Sequence, residues 1–145
     1  MKAPTLREAD AVPTNVLVVA LDIASIEAPN GNVLVVAPAL NSWLRRWASD
    51  DARARRLAAK RLRAYLEQFE LRGLHAEGRV GDPDPLLAIA DALTTFPADE
   101  ILIVGDAQAI PRAEKLALRA RTRFSLPTSR AGEPPRSVVS TDIAA

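Results

Sequence analysis

Two uninterrupted apolar runs of nearly identical composition constrain the fold of this chain more than any other feature. Residues 15–21 have the sequence NVLVVAL, and residues 32–37 have the sequence NVLVVA. A run of β-branched residues without polar alternation is typical of a strand buried on both faces, as in a parallel sheet covered by helices. The sequence therefore predicts an α/β domain built on a parallel sheet.

The link between these runs, residues 22–31, is at the lower limit of length for a parallel crossover. It contains the turn signal Pro29-Asn30-Gly31. Two alternatives follow: the link holds one or two helical turns, or the first strand lies at an edge of the sheet in another direction.

A long helix is predicted from about Asp50 to Leu71, with Ser49 as N-cap and Gly73 as the C-terminal stop. Apolar residues three or four apart form its buried stripe: Ala54, Ala58, Leu62, Tyr65 and Phe69. A third strand is expected over residues 74–80. Because that segment is the least hydrophobic of the three, we place it toward an edge.

Residues 81–105 form a strand-turn-helix-strand unit. Gly81 is predicted to take a turn conformation that other residues resist, and Asp82 to accept hydrogen bonds from free helix N–H groups. A helix begins at Pro83 or Pro85 and buries Leu86, Ile89, Ala90 and Leu93. Residues 101–105 are the strongest candidate for a central strand. We favour helix capping over a ligand or cation role for the two aspartates of the turn.

The predicted architecture is a doubly wound, mostly parallel sheet of about four to five strands with helices on both faces. A last helix is expected over 111–122, and residues 126–128 make a poor strand. The predicted organisation is a flexible arm over 1–14, one domain over 15–129, and a disordered tail over 130–145 that includes a short strand at Val138-Val139.

Composition excludes several classes of site. The 145 residues carry a net charge of +1 and no cysteine, so disulfides, thiol catalysis and Cys-ligated zinc are excluded. His75 is the only histidine, and the spacing supports no Ser-His-Asp arrangement. The beginning of the chain lacks the apolar stretch of a secretory signal, and no apolar run approaches a membrane span. We expect a cytoplasmic protein that has no metal site and is not an enzyme.

The order of elements resembles the universal stress protein fold, which is adenine nucleotide alpha hydrolase-like. The likeness covers roughly residues 15–125. Residues 33–42 and 81–100 are similar to an actinobacterial branch of that superfamily. Classical members bind ATP through an Asp after the first strand and, after the fourth, through Gly, two residues, Gly, nine residues, then Gly-Ser or Gly-Thr. Glycines there let backbone N–H groups approach phosphate.

The resemblance assigns Asp22 to the family's Asp and Gly105 to its first glycine. The second glycine falls at Gln108, the third at Leu118, and the hydroxyl position at Arg119. These side chains stand where the motif needs open backbone, so we expect weak ATP binding or none and no cofactor. The candidate ligand-binding residues are Asp22, Gly105, Asp106, Gln108 and Arg119.

The resemblance therefore implies a non-catalytic regulatory module associated with stress, acting on an unknown protein partner. It also implies a homodimer through an edge strand near the C-terminus, although Ser125, Pro127 and Ser129 interrupt that strand. A nucleotide-binding or nucleotide-hydrolysing stress protein is a further alternative.

The residues also leave open a nucleic-acid-binding module. Arg53, Arg56, Lys60 and Arg63 lie three or four apart on one helical face, which is suited to a phosphate backbone. Trp43 and Trp47 lie just upstream and are able to stack on bases. The competing interpretation is a solvated helix face with packed tryptophans, which the acidic end of the same helix favours.

Overall fold

The computed structural model describes residues 14–40, 51–105 and 110–131. Within these ranges the chain forms five strands and three helices: β1 (Asn15–Ala20), β2 (Asn32–Pro38), α1 (Asp51–Leu71), β3 (Glu77–Gly81), α2 (Pro85–Thr95), β4 (Glu100–Val104), α3 (Ile110–Phe124) and β5 (Thr128–Ala131). The strands form one sheet in the order β3-β2-β1-β4-β5, and every neighbouring pair is parallel. The predicted doubly wound α/β fold is confirmed.

The sheet has an apolar cluster on each face. Alternate residues of β1 illustrate why: Leu17 and Val19 pack against α2 and α3, whereas Val16 and Val18 pack against α1. All four are almost completely buried. Burial on both faces explains why these strands are continuously apolar.

The first strand lies at the centre of the sheet, so the edge alternative is wrong. Asn15 pairs in register with Asn32 on one side, and Val16 pairs with Glu100 on the other. Residues 21–31 connect β1 to β2 without a helix. Ile26 of this connection is buried in the cluster on the α1 face. The connection therefore crosses the sheet on the α1 face, where the side chain of Ile26 covers part of the sheet in place of a crossover helix.

The long helix α1 agrees with the predicted pattern. Ala54, Ala58, Tyr65 and Phe69 are buried, and Leu62 packs against them while partly exposed. Gly73 has a φ of 82°, the left-handed conformation expected of a C-terminal stop. The predicted N-cap Ser49, the residue Asp50 and the short segment 42–47 with both tryptophans lie outside the described residues.

The turn into α2 differs in detail from its prediction. Gly81 does not have a positive φ. A Cβ on Gly81 would come within 2.8 Å of Val36 Cγ2 and Ala88 Cβ, so its role is close packing between the sheet and α2. Asp84, rather than Asp82, is the N-cap of α2 and accepts a hydrogen bond from the Leu86 N–H at 3.0 Å. Capping remains the structural role of this turn.

Both predicted edge regions are edges of the sheet. β3 begins at Glu77, three residues later than expected, and its residues are mostly exposed. β5 continues to Ala131, so Arg130 belongs to the sheet and not to a disordered tail. Arg130 forms an ion pair with Glu114 of α3 at 3.5 Å. The predicted arm and the Val138-Val139 strand fall outside the described residues, apart from Thr14.

None of the helices in the described part of the chain is both long and apolar enough to cross a membrane.

Candidate functional site

The carboxyl ends of β1 and β4 form the topological switch point of the sheet. The chain leaves β1 along the α1 face, whereas it leaves β4 toward α3 on the opposite face. Open α/β sheets bind their ligands in the crevice at this position. Asp22 and Gly105 lie here, and the Leu21 N–H donates to the Val104 carbonyl at 2.9 Å just beside them. The structure thus brings two predicted site residues to one edge.

The side chain of Asp22 forms a hydrogen bond within its own turn. Its Oδ1 accepts a hydrogen bond from the Ile23 N–H at 2.8 Å. Its main-chain carbonyl accepts a hydrogen bond from the hydroxyl of Tyr65, a fully buried residue of α1. The same hydroxyl accepts from the Ala24 N–H at 2.9 Å. Asp22 and its neighbours therefore anchor the helix-free connection to α1.

Arg61 is a residue of this edge that the sequence reasoning missed. Its Nε donates to the Ala20 carbonyl at 3.3 Å, and its Nη2 donates to the Pro38 carbonyl. The guanidinium thus joins the ends of β1 and β2. Burial lowers the pKa of Arg61, the nearby charge of Asp22 raises it, and that of Arg112 lowers it further. Arginine nevertheless stays protonated at physiological pH.

The charge pattern alone did not single out Arg61 among the cations of this helix. The available signal was its position, three residues after Ala58 and four before Tyr65, which places it beside the buried stripe. A long cation there is able to reach past the helix to strand carbonyls.

The region after β4 leads quickly into the next helix. Gly105 is buried, and its N–H donates to the Ala131 carbonyl of β5 at 3.3 Å. α3 begins at Ile110, only five residues later. Leu118 and Arg119 consequently lie in the third turn of a helix, where backbone N–H groups bond to the preceding turn. Asp106 and Gln108 fall outside the described residues.

Arg119 lies in a separate cavity of about 400 Å³, here called the basic cavity. Neither Asp22 nor Gly105 lines it. The cavity is lined by three cations of α3, which are Arg112, Lys115 and Arg119, and by one acid, Asp84. The rest of its lining is apolar and consists of Leu40, Pro83, Pro85, Leu86 and Leu116. The structure therefore separates Arg119 from Asp22 and Gly105.

The cationic face of α1 is exposed as predicted. Arg53, Arg56, Lys60 and Arg63 are all solvent-accessible. None of them forms an ion pair with an acidic residue in the part of the chain that the structure describes. A second cavity of about 580 Å³ adjoins this face and is lined by Arg56 and by Arg79 of β3. Trp43 and Trp47 are outside the described residues, so the structure does not place them against the cationic face.

Candidate metal ligands are not clustered in residues 14–40, 51–105 and 110–131. No group of three or more His, Cys, Asp or Glu residues suited to a metal ion occurs there. His75 is exposed at a loop before β3.

Comparison with known proteins supports the fold. The fold resembles that in the crystal structure of a universal stress protein family protein from Arabidopsis thaliana, solved with AMP bound, with a TM-score of 0.56 and 11% sequence identity. The match covers 86% of this chain and 95% of that one. No protein-family model and no curated protein matches the sequence. The likeness establishes a universal stress protein-like fold.

Proposed function

We propose that this chain is a non-catalytic regulatory binding module, associated with stress, that has lost the ATP site of classical universal stress proteins. The observation that carries the proposal is the start of α3 at Ile110. The interval from Gly105 is too short for the family's phosphate loop. The backbone at Leu118 and Arg119 belongs to a helix and offers no free N–H groups to phosphate.

The side chains at the switch point support the same proposal. Arg61 joins the carbonyls at the ends of two strands, and Tyr65 holds the main chain at Asp22. These contacts occupy main-chain carbonyls at the carboxyl ends of β1 and β2 and directly after β1. The Arabidopsis structure contains AMP. This chain has a similar fold and uses the carboxyl ends of β1 and β2 for internal hydrogen bonds.

A thermal shift experiment on the full chain tests the proposal. We expect no stabilisation by adenosine, which carries the nucleoside of ATP without its phosphates. A ligand at a hundred times its Kd stabilises a protein by about 2.7 kcal/mol, so real binding would be visible. Stabilisation by adenosine that disappears in Asp22→Ala would contradict the proposal and favour the nucleotide-binding alternative.

A nucleic-acid-binding function is the second candidate, and the exposure of four cations along α1 favours it. Arg53 and Arg63 are ten residues apart, or about 15 Å along a helix. Such a stripe is able to contact successive phosphates of one strand. Binding of single-stranded RNA would then weaken steeply with salt. It would be lost in R53E/R56E/K60E and kept in R112E/K115E/R119E, which changes the net charge equally. Equal loss in both variants would remove this candidate.

The homodimer remains a proposal, with the free edge of β5 as its surface. This strand pairs with β4 on one side only among the described residues. Pro127 and Ala131 accept hydrogen bonds from β4 and the residue that follows it, so the N–H of Arg130 lies on the side of the strand away from β4. Arg130→Pro would remove this donor. We expect a dimer in light scattering for the natural sequence and a monomer for this variant; a monomer in both cases would argue against the edge contact.

A further inference from the structure

The basic cavity places three like charges on one face of a single helix. Arg112, Lys115 and Arg119 are three and four residues apart on α3, and all three are exposed. None forms an ion pair with an acidic residue in the described ranges. Like charges at this spacing destabilise a helix. A bound anion would offset that cost.

Asp84, the acidic residue that lines the cavity, already accepts a hydrogen bond within its own turn. Asp84 Oδ1 accepts a hydrogen bond from the Leu86 N–H at 3.0 Å as the N-cap of α2. The neighbouring carboxylate of Asp82 accepts from the Asp84 N–H at 2.9 Å. Both carboxylates therefore stabilise the turn, and the three cations of α3 outnumber the single acid that lines the cavity.

The remaining lining is apolar. Leu40 follows β2, Leu86 belongs to α2 and Leu116 belongs to α3. Pro83 of the turn before α2 and Pro85 at the start of α2 complete this lining. The volume of about 400 Å³ lies in the range of small-molecule pockets, roughly 300–1,000 Å³. An apolar wall beside a cationic wall suits a small molecule with an anionic end and an apolar body, and the size does not suit a polymer.

We propose that the basic cavity binds a small organic phosphate ester, whose phosphate contacts Arg112, Lys115 and Arg119 and whose apolar body packs on Leu86 and Leu116. Arginine guanidinium groups pair with two phosphate oxygens at once, and lysine adds a mobile charge. The site supplies the ligand class that the regulatory module would sense. It goes beyond the proposed function and uses none of the residues at the switch point.

Calorimetric titration of the full chain with phenyl phosphate, inorganic phosphate and phenol tests the proposal. We expect saturable binding of phenyl phosphate, weaker binding of inorganic phosphate, and none of phenol. R112Q/R119Q should weaken phenyl phosphate binding about tenfold or more, because two charge-assisted hydrogen-bond donors are lost. The matched control K60Q/R63Q removes the same charge from α1 and should change affinity less than about twofold.

A second variant tests the apolar wall separately. Leu86→Ala should reduce the preference for phenyl phosphate over inorganic phosphate and leave the affinity for inorganic phosphate unchanged. Circular dichroism checks that each variant is folded.

The proposal is overturned if the folded natural chain shows no saturable binding of phenyl phosphate. It is also overturned if R112Q/R119Q and K60Q/R63Q lose affinity equally, since that would indicate a general charge effect. Adenosine binding that depends on Asp22 would contradict the proposed function alone, because Asp22 does not line this cavity.

Discussion

Replacing Tyr65 by Phe tests whether α1 holds the helix-free connection between β1 and β2. The ring is fully buried and would remain, so the change removes one hydroxyl. That hydroxyl donates to the Asp22 carbonyl and accepts from the Ala24 N–H at 2.9 Å. Two main-chain groups of the connection would lose this partner.

The size of the effect follows from how well water reaches those groups. A typical hydrogen bond contributes about 0.5–1.5 kcal/mol net, and a buried group left unsatisfied costs about 1–3 kcal/mol. Asp22 and Ala24 are only half-buried, so water partly replaces the hydroxyl. We therefore expect Tyr65→Phe to lower the free energy of unfolding by about 1–3 kcal/mol.

Urea unfolding measures this loss as a lower midpoint at unchanged m-value. Thr122→Val is the matched control: its hydroxyl donates to the Leu118 carbonyl at 3.0 Å on the exposed side of α3, and its removal should change stability by less than about 0.5 kcal/mol. If Tyr65→Phe were as stable as the natural chain, the connection would not depend on α1 and our reasoning would be wrong.

Three further substitutions test other contacts by the same unfolding assay. Arg61→Met should destabilise by about 1–3 kcal/mol, since two strand-end carbonyls lose a charged donor; an unchanged midpoint would show that water replaces it. Gly81→Val should destabilise the protein by at least about 2 kcal/mol, because the added side chain overpacks the space between the sheet and α2. Gly73→Ala should cost only about 1–2 kcal/mol, because Gly73 has a left-handed φ but open space around it. The reverse order would refute the packing role of Gly81. Asp84→Ala should cost about 1 kcal/mol by removing the cap of α2, and a neutral effect would argue against that cap.

The sheet was predictable from the sequence because its strands are buried on both faces. The valine-rich runs at 15–21 and 32–37 have no polar alternation, and both are central strands. The stripe containing Tyr65 and Phe69 likewise predicted the buried side of α1. The position of the first strand in the sheet was harder to predict, because the length of a link does not determine the direction in which it crosses.

The candidate site was only partly predictable. The hydroxyl of Tyr65 meets Asp22 across 43 positions of sequence, and no local pattern indicates such a contact. From the sequence, Arg61 resembled a solvent-exposed cation, because arginines on helices are usually exposed to solvent. One signal was present in the sequence: the predicted helix over 111–122 already contained Leu118 and Arg119, and the structure places both residues inside α3.

Our central proposal is that the crevice at the carboxyl ends of β1 and β4 does not bind a nucleoside. An NMR titration with adenosine tests this proposal most directly. Adenosine lacks phosphate, so binding in the basic cavity does not interfere. The amide resonances of Ile23, Ala24 and Gly105 report on the crevice from both sides. We predict that none of them shifts as adenosine is added to millimolar concentration. Saturable shifts of these amides, lost in Asp22→Ala, would contradict the account.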